Sequence, residues 1–198
     1  MLAAAAGLGA LAAGLAWGVT DRLEQRNDFC TACHLRPGLP LHAELRRDFD
    51  APEAASLSGA HGQSSVAARG SGPAAAFRCI DCHGGTSLLG RARVKALAGR
   101  DAFWYVVGRF EEPKGMRWPL WDEDCRKCHA SFEAGGAEPW RAPRFHELGV
   151  HNADLGVGCV ECHLAHEAGG DPEADFLHAT RVRSQCARCH SEFEEGAS

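Results

Sequence analysis

The chain has 198 residues, with 26 Asp and Glu against 21 Lys and Arg, for a formal charge of −5 at pH 7. That balance, with no basic stripe along the chain, excludes a nucleic-acid surface built on phosphate contacts. Length alone allows one or two domains, and the spacing of the ten cysteines narrows the class further.

Residues 2–19 carry no charge, and Asp21 and Arg22 close the run. As a helix this stretch spans about 27 Å, just enough for a hydrocarbon core. Trp17 falls near one end, where an interfacial aromatic belongs. The run predicts a retained transmembrane anchor over residues 1–20; a cleaved signal peptide, with Gly14-Leu15-Ala16 as a poor cleavage site, is the alternative. Eight Ala and four Gly against four Leu make a weakly apolar helix. Ala10, Gly14 and Gly18 form a small-residue ladder, which predicts packing on other transmembrane helices.

About ten residues further on stands Cys30-Thr-Ala-Cys33-His34, and the same spacing recurs four times. The copies are Cys79-Ile-Asp-Cys82-His83, Cys125-Arg-Lys-Cys128-His129, Cys159-Val-Glu-Cys162-His163 and Cys186-Ala-Arg-Cys189-His190. Together they use every cysteine. Cys-x-x-Cys-His is the spacing of covalent haem c attachment, in which two thiols bond the porphyrin and the adjacent His ligates the iron. Zinc does not require a His after each second Cys, and five pairs would leave a half-site over. A redox dithiol needs a βαβ context that is not visible here. The motifs therefore predict five haem c groups.

Between Cys30 and His190 there are about 32 residues per haem, too few for separate protein cores. The expected fold is mainly α and loop-rich, wrapped around stacked haems, with residues 21–198 as one pentahaem domain. Residues 56–65 and 67–73 read as irregular loops. Residues 91–110 form the best helical stretch, with Arg91, Arg93, Lys95 and Arg100 as a cationic surface. Val94, Leu97, Ala98 and residues 103–107 supply its apolar one. Such a helix either lies in a membrane interface or covers a haem. Pro113, Pro119, Pro139 and Pro143 punctuate the chain around the third motif, and the acidic tail after His190 is expected to be solvated. Haem c is attached on the outer side of the inner membrane, so a periplasmic haem domain on a single-pass inner-membrane anchor is expected.

Six histidines lie outside the motifs: His42, His61, His146, His151, His166 and His178. Five haems need up to five distal ligands, and an iron with His on both faces carries electrons without binding substrate. By proximity, His178 is the expected distal ligand of the fifth haem and His151 of the third, with His146 in reserve for either.

On these residues the chain resembles the NapC/NirT/NrfH family of membrane-anchored, quinol-oxidising multihaem cytochromes. The likeness runs from residue 2 to residue 167. It rests on the anchor ahead of Phe29-Cys30, on Ser58-Gly-Ala-His61 before the second motif and on Arg93-Val-Lys95. It continues through the third motif and Cys159-Val-Glu-Cys162-His163-Leu-Ala-His166. The resemblance implies His61 as distal ligand of the fourth haem and His166 as that of the second. It also implies Lys95 and Asp101 near a quinol pocket beside the first haem, where burial and a neighbouring cation tune a carboxylate to accept a proton. A solvated helix charge is the other reading of Asp101. Two departures stand out. The family's ligand Met after the first motif is missing, and Met116, the sole internal methionine, reads as packing. The first iron is then ligated by His42, left open, or held by its motif His alone. The second departure is the fifth motif.

Three functions follow as expectations. In the first, the chain passes electrons from menaquinol or ubiquinol to a periplasmic redox partner. In the second, it is a haem wire with transmembrane partner subunits, similar to the pentahaem subunits of alternative complex III. A catalytic reductase would need an open haem, which the histidine supply argues against except at the first.

Overall fold

A computed structural model of the chain describes residues 2–36, 39–40, 42–66, 75–111, 120–129, 145, 151 and 155–193. Residues 67–73, His146, Met116 and the four prolines named above lie outside that set, as does the tail beyond residue 193. The described part is mainly helical: α1 (Leu2–Leu23), α2 (Asn27–Cys30), α3 (Ala43–Phe49), α4 (Leu57–Gln63), α5 (Cys79–His83), α6 (Leu88–Val106), α7 (Asp122–Arg126), α8 (Cys159–Cys162) and α9 (Ala179–Cys186). Two short antiparallel pairs complete it, β1 (His34–Arg36) with β2 (Leu39–Pro40) and β3 (Ser65–Val66) with β4 (Ala75–Ala76).

Helix α1 forms where the uncharged run predicts one and continues through Asp21 and Arg22 to Leu23. Among the described residues, however, no helix is long and apolar enough to cross a membrane. The expected single-pass inner-membrane anchoring is corrected accordingly. The physical reason is composition: alanine and glycine bring far less apolar surface into lipid than leucine, and the last turn carries charge.

That charged turn is put to use against α6. Arg91 donates to Asp21 Oδ1 at 2.6 Å and pairs with Glu24. Lys95 Nζ reaches Glu24 Oε2 and Thr20 Oγ1, each at 2.8 Å, and lies over the Trp17 ring. Arg91, Lys95 and Glu24 are 15, 11 and 12 % exposed. Charges this buried are tolerated because they satisfy one another. Helix α6 starts at Leu88 because Ser87 caps it, its hydroxyl accepting from the Gly90 amide at 3.0 Å.

Residues 57–63, expected to be loop, are helix α4. Ser56 supplies the reason: its hydroxyl caps the Gly59 amide at 3.1 Å. Glycine then lets α4 approach α3. A Cβ at Gly62 would collide with the Phe49 carbonyl, and one at Gly59 would sit 3.1 Å from the Asp48 carbonyl.

Among the described residues Phe77 is the single buried hydrophobic, while Glu24, Ser56 and Ser58 are buried polar residues. The described residues form a scaffold around something other than their own side chains.

Candidate haem-binding site

The first cysteine of every motif lies in a helix: Cys30 and Cys186 end α2 and α9, Cys79 and Cys159 begin α5 and α8, and Cys125 lies in α7. None of the ten cysteines is joined to another as a disulfide. The five helices touch in sequence order: α2 meets α5, α5 meets α7, α7 meets α8, and α8 meets α9. The four junctions therefore join motifs one to five in chain order.

The junctions come in two kinds. Between motifs one and two, Asn27 Oδ1 accepts from the Cys79 amide at 2.9 Å. Between three and four, Asp122 Oδ1 accepts from the Cys159 amide at 2.8 Å. Each acceptor stands three residues before the first cysteine of its own motif. At both junctions the first cysteines are hydrogen-bonded: Cys79 draws a proton from Cys30, raising Cys30 and lowering Cys79 to about 7. Cys125 and Cys159 repeat this, with Cys159 raised and Cys125 lowered.

The other kind joins an acidic motif to a basic one. Asp81 and Glu161 occupy the same place in motifs two and four, and each reaches back to cap its own turn. Asp81 Oδ2 accepts from the Arg78 amide at 2.8 Å and Glu161 Oε1 from the Gly158 amide at 2.9 Å. Lys127 of motif three donates to the Asp81 carbonyl at 2.6 Å, and Arg188 of motif five to Glu161 Oε2 at 2.5 Å. Arg181 adds a bond to the Glu161 carbonyl at 2.7 Å. These even-to-odd junctions bring second cysteines toward the next motif. Burial raises Cys82 to about 11, with Cys125 as the next cause, and raises Cys162, with Cys186 as the next.

Three pairs of imidazoles share one separation. His83 and His166 are stacked at 6.0 Å between ring centres and 9° from parallel. His61 and His129 stand at 6.0 Å and 79°, and His151 and His190 at 6.0 Å and 83°. Each pair joins a motif histidine to one outside any motif. Two imidazoles held by one metal at about 2 Å per bond place their ring centres roughly 6 Å apart.

The outer nitrogens are equally organised. His61 Nδ1 is 2.8 Å from the Leu57 carbonyl, His166 Nδ1 3.1 Å from Ser58 Oγ, and His190 Nδ1 3.1 Å from Glu192 Oε1. A donor N–H at Nδ1 leaves the lone pair on Nε2, the arrangement of a metal-ligating histidine. Desolvation, with His166 as the next cause, lowers His83 to about 4 and also lowers His166, so both rings are neutral near pH 7. His151 stacks on Phe145 at 4.4 Å, and its Nδ1 is buried with no hydrogen bond among the described residues. These donors fit haem. Among the described residues no three His, Cys, Asp or Glu side chains converge as a metal site, whereas porphyrin iron needs two protein ligands.

The pairings differ from those expected. His166 stands opposite His83, as the resemblance implies. His61 faces the third motif, where the resemblance implies the fourth, because α4 points it across Phe77 toward His129. His151 faces His190 of the fifth motif, where proximity in sequence suggests the third. His178 lies 3.4 Å from the Glu167 carbonyl. His42 is near enough to His83 and His166 to contribute to lowering both, after desolvation. The backbone of His34 is held by Tyr105, whose hydroxyl meets its N–H and its carbonyl at 3.0 Å each. Lys95 belongs to the α1–α6 ion cluster. Asp101, two turns on, lines a cleft of about 420 Å³ with Arg100, Trp104, Arg109, Phe110 and Glu111. No feature of spacing in the sequence indicates the roles of Asn27, Ser58 and Asp48, which appear only when distant segments meet.

No family model matches the chain, and no solved structure does. A curated protein of Allochromatium vinosum, described as tetraheme cytochrome-c type, is 28% identical over 111 residues. The alignment covers 48% of this chain and 59% of that protein, so the match spans less than two thirds of the relative. The likeness is to a multihaem c-type cytochrome and does not extend to the NapC/NirT/NrfH family in particular.

Proposed function

We infer that the chain is a multihaem c-type cytochrome that transfers electrons, with five haem c groups attached through its five cysteine pairs. The three imidazole pairs at one common separation carry this reading. In it, His83 and His166 would hold the iron of the second site, His129 and His61 that of the third, and His190 and His151 that of the fifth. His34 and His163 serve as motif ligands of the first and fourth. Haem iron supplies a one-electron ferric–ferrous couple, and an imidazole on each face leaves it no open position for substrate. The chain's own work is spacing and order: Asn27, Asp122, Lys127, Arg181 and Arg188 bind each motif to the next.

Production alongside a haem-attachment system tests this. The expected product carries five covalent haems per chain by mass and pyridine haemochrome assay, with low-spin spectra at the second, third and fifth sites. A folded chain holding zinc or disulfides in place of haem would overturn the reading.

A relay role within a larger assembly is favoured over direct oxidation of menaquinol or ubiquinol. Lys95 is committed to Glu24 and Thr20, and Asp101 lies about 9 Å further along the helix, in a different cleft. Helix α1, with Leu8, Leu11, Leu15 and Val19 58–69% exposed, is the surface for a partner subunit. A soluble quinol should reduce the isolated, haem-loaded chain slowly and the native assembly quickly. Equal rates would return the quinol site to this chain.

A further inference from the structure

One hydrogen-bond chain behind the second site leads away from the ligand to a carboxylate. His166 Nδ1 donates to Ser58 Oγ at 3.1 Å, and Ser58 Oγ lies 2.9 Å from Ser56 Oγ and 3.3 Å from Asp48 Oδ2. Ser56 itself donates to the same Asp48 oxygen. Ser56 is fully buried and Ser58 is 7% exposed, so water does not compete for these bonds. The Ser58 amide donates to the Ala165 carbonyl at 2.7 Å, which fixes the hydroxyl opposite the His166 ring. All the donors point one way and end on one anion, an arrangement in which each bond polarises the next.

The neighbouring site has no such chain. His61, four residues along α4 from Leu57, gives its Nδ1 proton to the neutral Leu57 carbonyl. One seven-residue helix therefore holds outer-shell groups of two adjacent sites, Ser58 for the second and His61 with Leu57 for the third. A histidine whose outer N–H bonds toward an anion is the more basic ligand and stabilises the ferric state; a neutral carbonyl does this less.

We propose that Asp48, acting through Ser58 and Ser56, is the positioning residue that lowers the reduction potential of the second haem below that of the third. This rests on the His83–His166 and His129–His61 pairings inferred above. The device makes the second-to-third transfer favourable in that direction, and it places the direction-setting charge on α3, outside every haem motif.

The test is potentiometric titration of the haem-loaded protein, followed optically and by low-spin EPR, for wild type, Asp48→Asn and Ser58→Ala. The expected result is one low-potential component moving upward in both variants, by about tenfold in its reduction equilibrium or ~59 mV for one electron. Its EPR signal should shift while the other components stay in place. Low-spin second and third haems with unmoved potentials in both variants would overturn the proposal and leave the pairings intact. A wild type lacking bis-histidine signals would instead overturn the pairing, and the proposal with it. Ser58→Ala keeps the Asp48 charge and breaks the hydrogen-bond chain, so a shift confined to Asp48→Asn would reduce the effect to charge alone and overturn the relay.

Discussion

His83 and His166, half the chain apart in sequence, lie 9° from parallel with ring centres 6.0 Å apart. Two helices make this possible. Helix α5 carries His83 at its end, while the Ser58 amide of α4 holds the Ala165 carbonyl and thus the segment bearing His166. Replacing His166 with Ala should leave the haem attached through Cys79 and Cys82 but open one face of its iron. Carbon monoxide should then bind about one haem per chain where wild type binds none at this site; unchanged binding would argue against the pair.

The assignment of His61 to the third site can be separated from the fourth by counting. His61→Ala combined with His129→Ala strikes one site twice, whereas His61→Ala combined with His163→Ala strikes two. Compared with wild type, the first double variant should change the spectrum of one haem and the second should change two. Non-additive effects of this kind identify residues that act as a unit; the reverse count would restore the fourth-site pairing.

Asp122 is a capping acceptor supplied by one motif to the next. Asp122→Ala removes the bond to the Cys159 amide and should cost about 1 kcal/mol of stability. Asp122→Asn keeps an acceptor oxygen and should lose less. Denaturant midpoints measured on the haem-loaded protein distinguish the two.

Glu24 should matter more than Asp21 at the α1–α6 junction. Glu24 is 12% exposed and serves both Arg91 and Lys95, while Asp21 is 44% exposed. Removing the Glu24 carboxylate leaves two buried cations sharing the more exposed Asp21 as their anion, and Glu24→Ala is expected to cost about 3 kcal/mol. The exposed partner, Asp21→Ala, should cost well under 1 kcal/mol by the same denaturation assay because solvent screens it.

The same junction should be acid-labile. The hydrogen bond from Arg91 holds Asp21 below the ordinary carboxylate value of 3.8. A depressed folded value means that its stabilisation is fully present above the unfolded value and is lost as pH falls through the folded one. Protease cleavage between α1 and α2 should therefore rise below about pH 4, and Asp21→Asn should flatten the contribution of this group. Identical pH profiles for the two proteins would rule out Asp21 as a contributor.

Local chemistry is what the sequence by itself determined. Five Cys-x-x-Cys-His copies, the helix over the uncharged N-terminal run and the helix containing residues 91–106 all follow from spacing within short segments. Ser56 as a cap was equally readable, since a serine before an uninterrupted helical turn satisfies an orphan amide, but the glycines of 56–65 suggest loop more strongly. Only the tertiary structure decided the partners. His61 and His151 face motifs other than those expected because their ring partners are set by which segments fold together. Chain proximity does not set that choice. It decided the fate of Lys95 in the same way: a lysine on a basic helix reads as available until Glu24 and Thr20, about 70 residues earlier, take its proton donors to avoid leaving a buried charge unpaired.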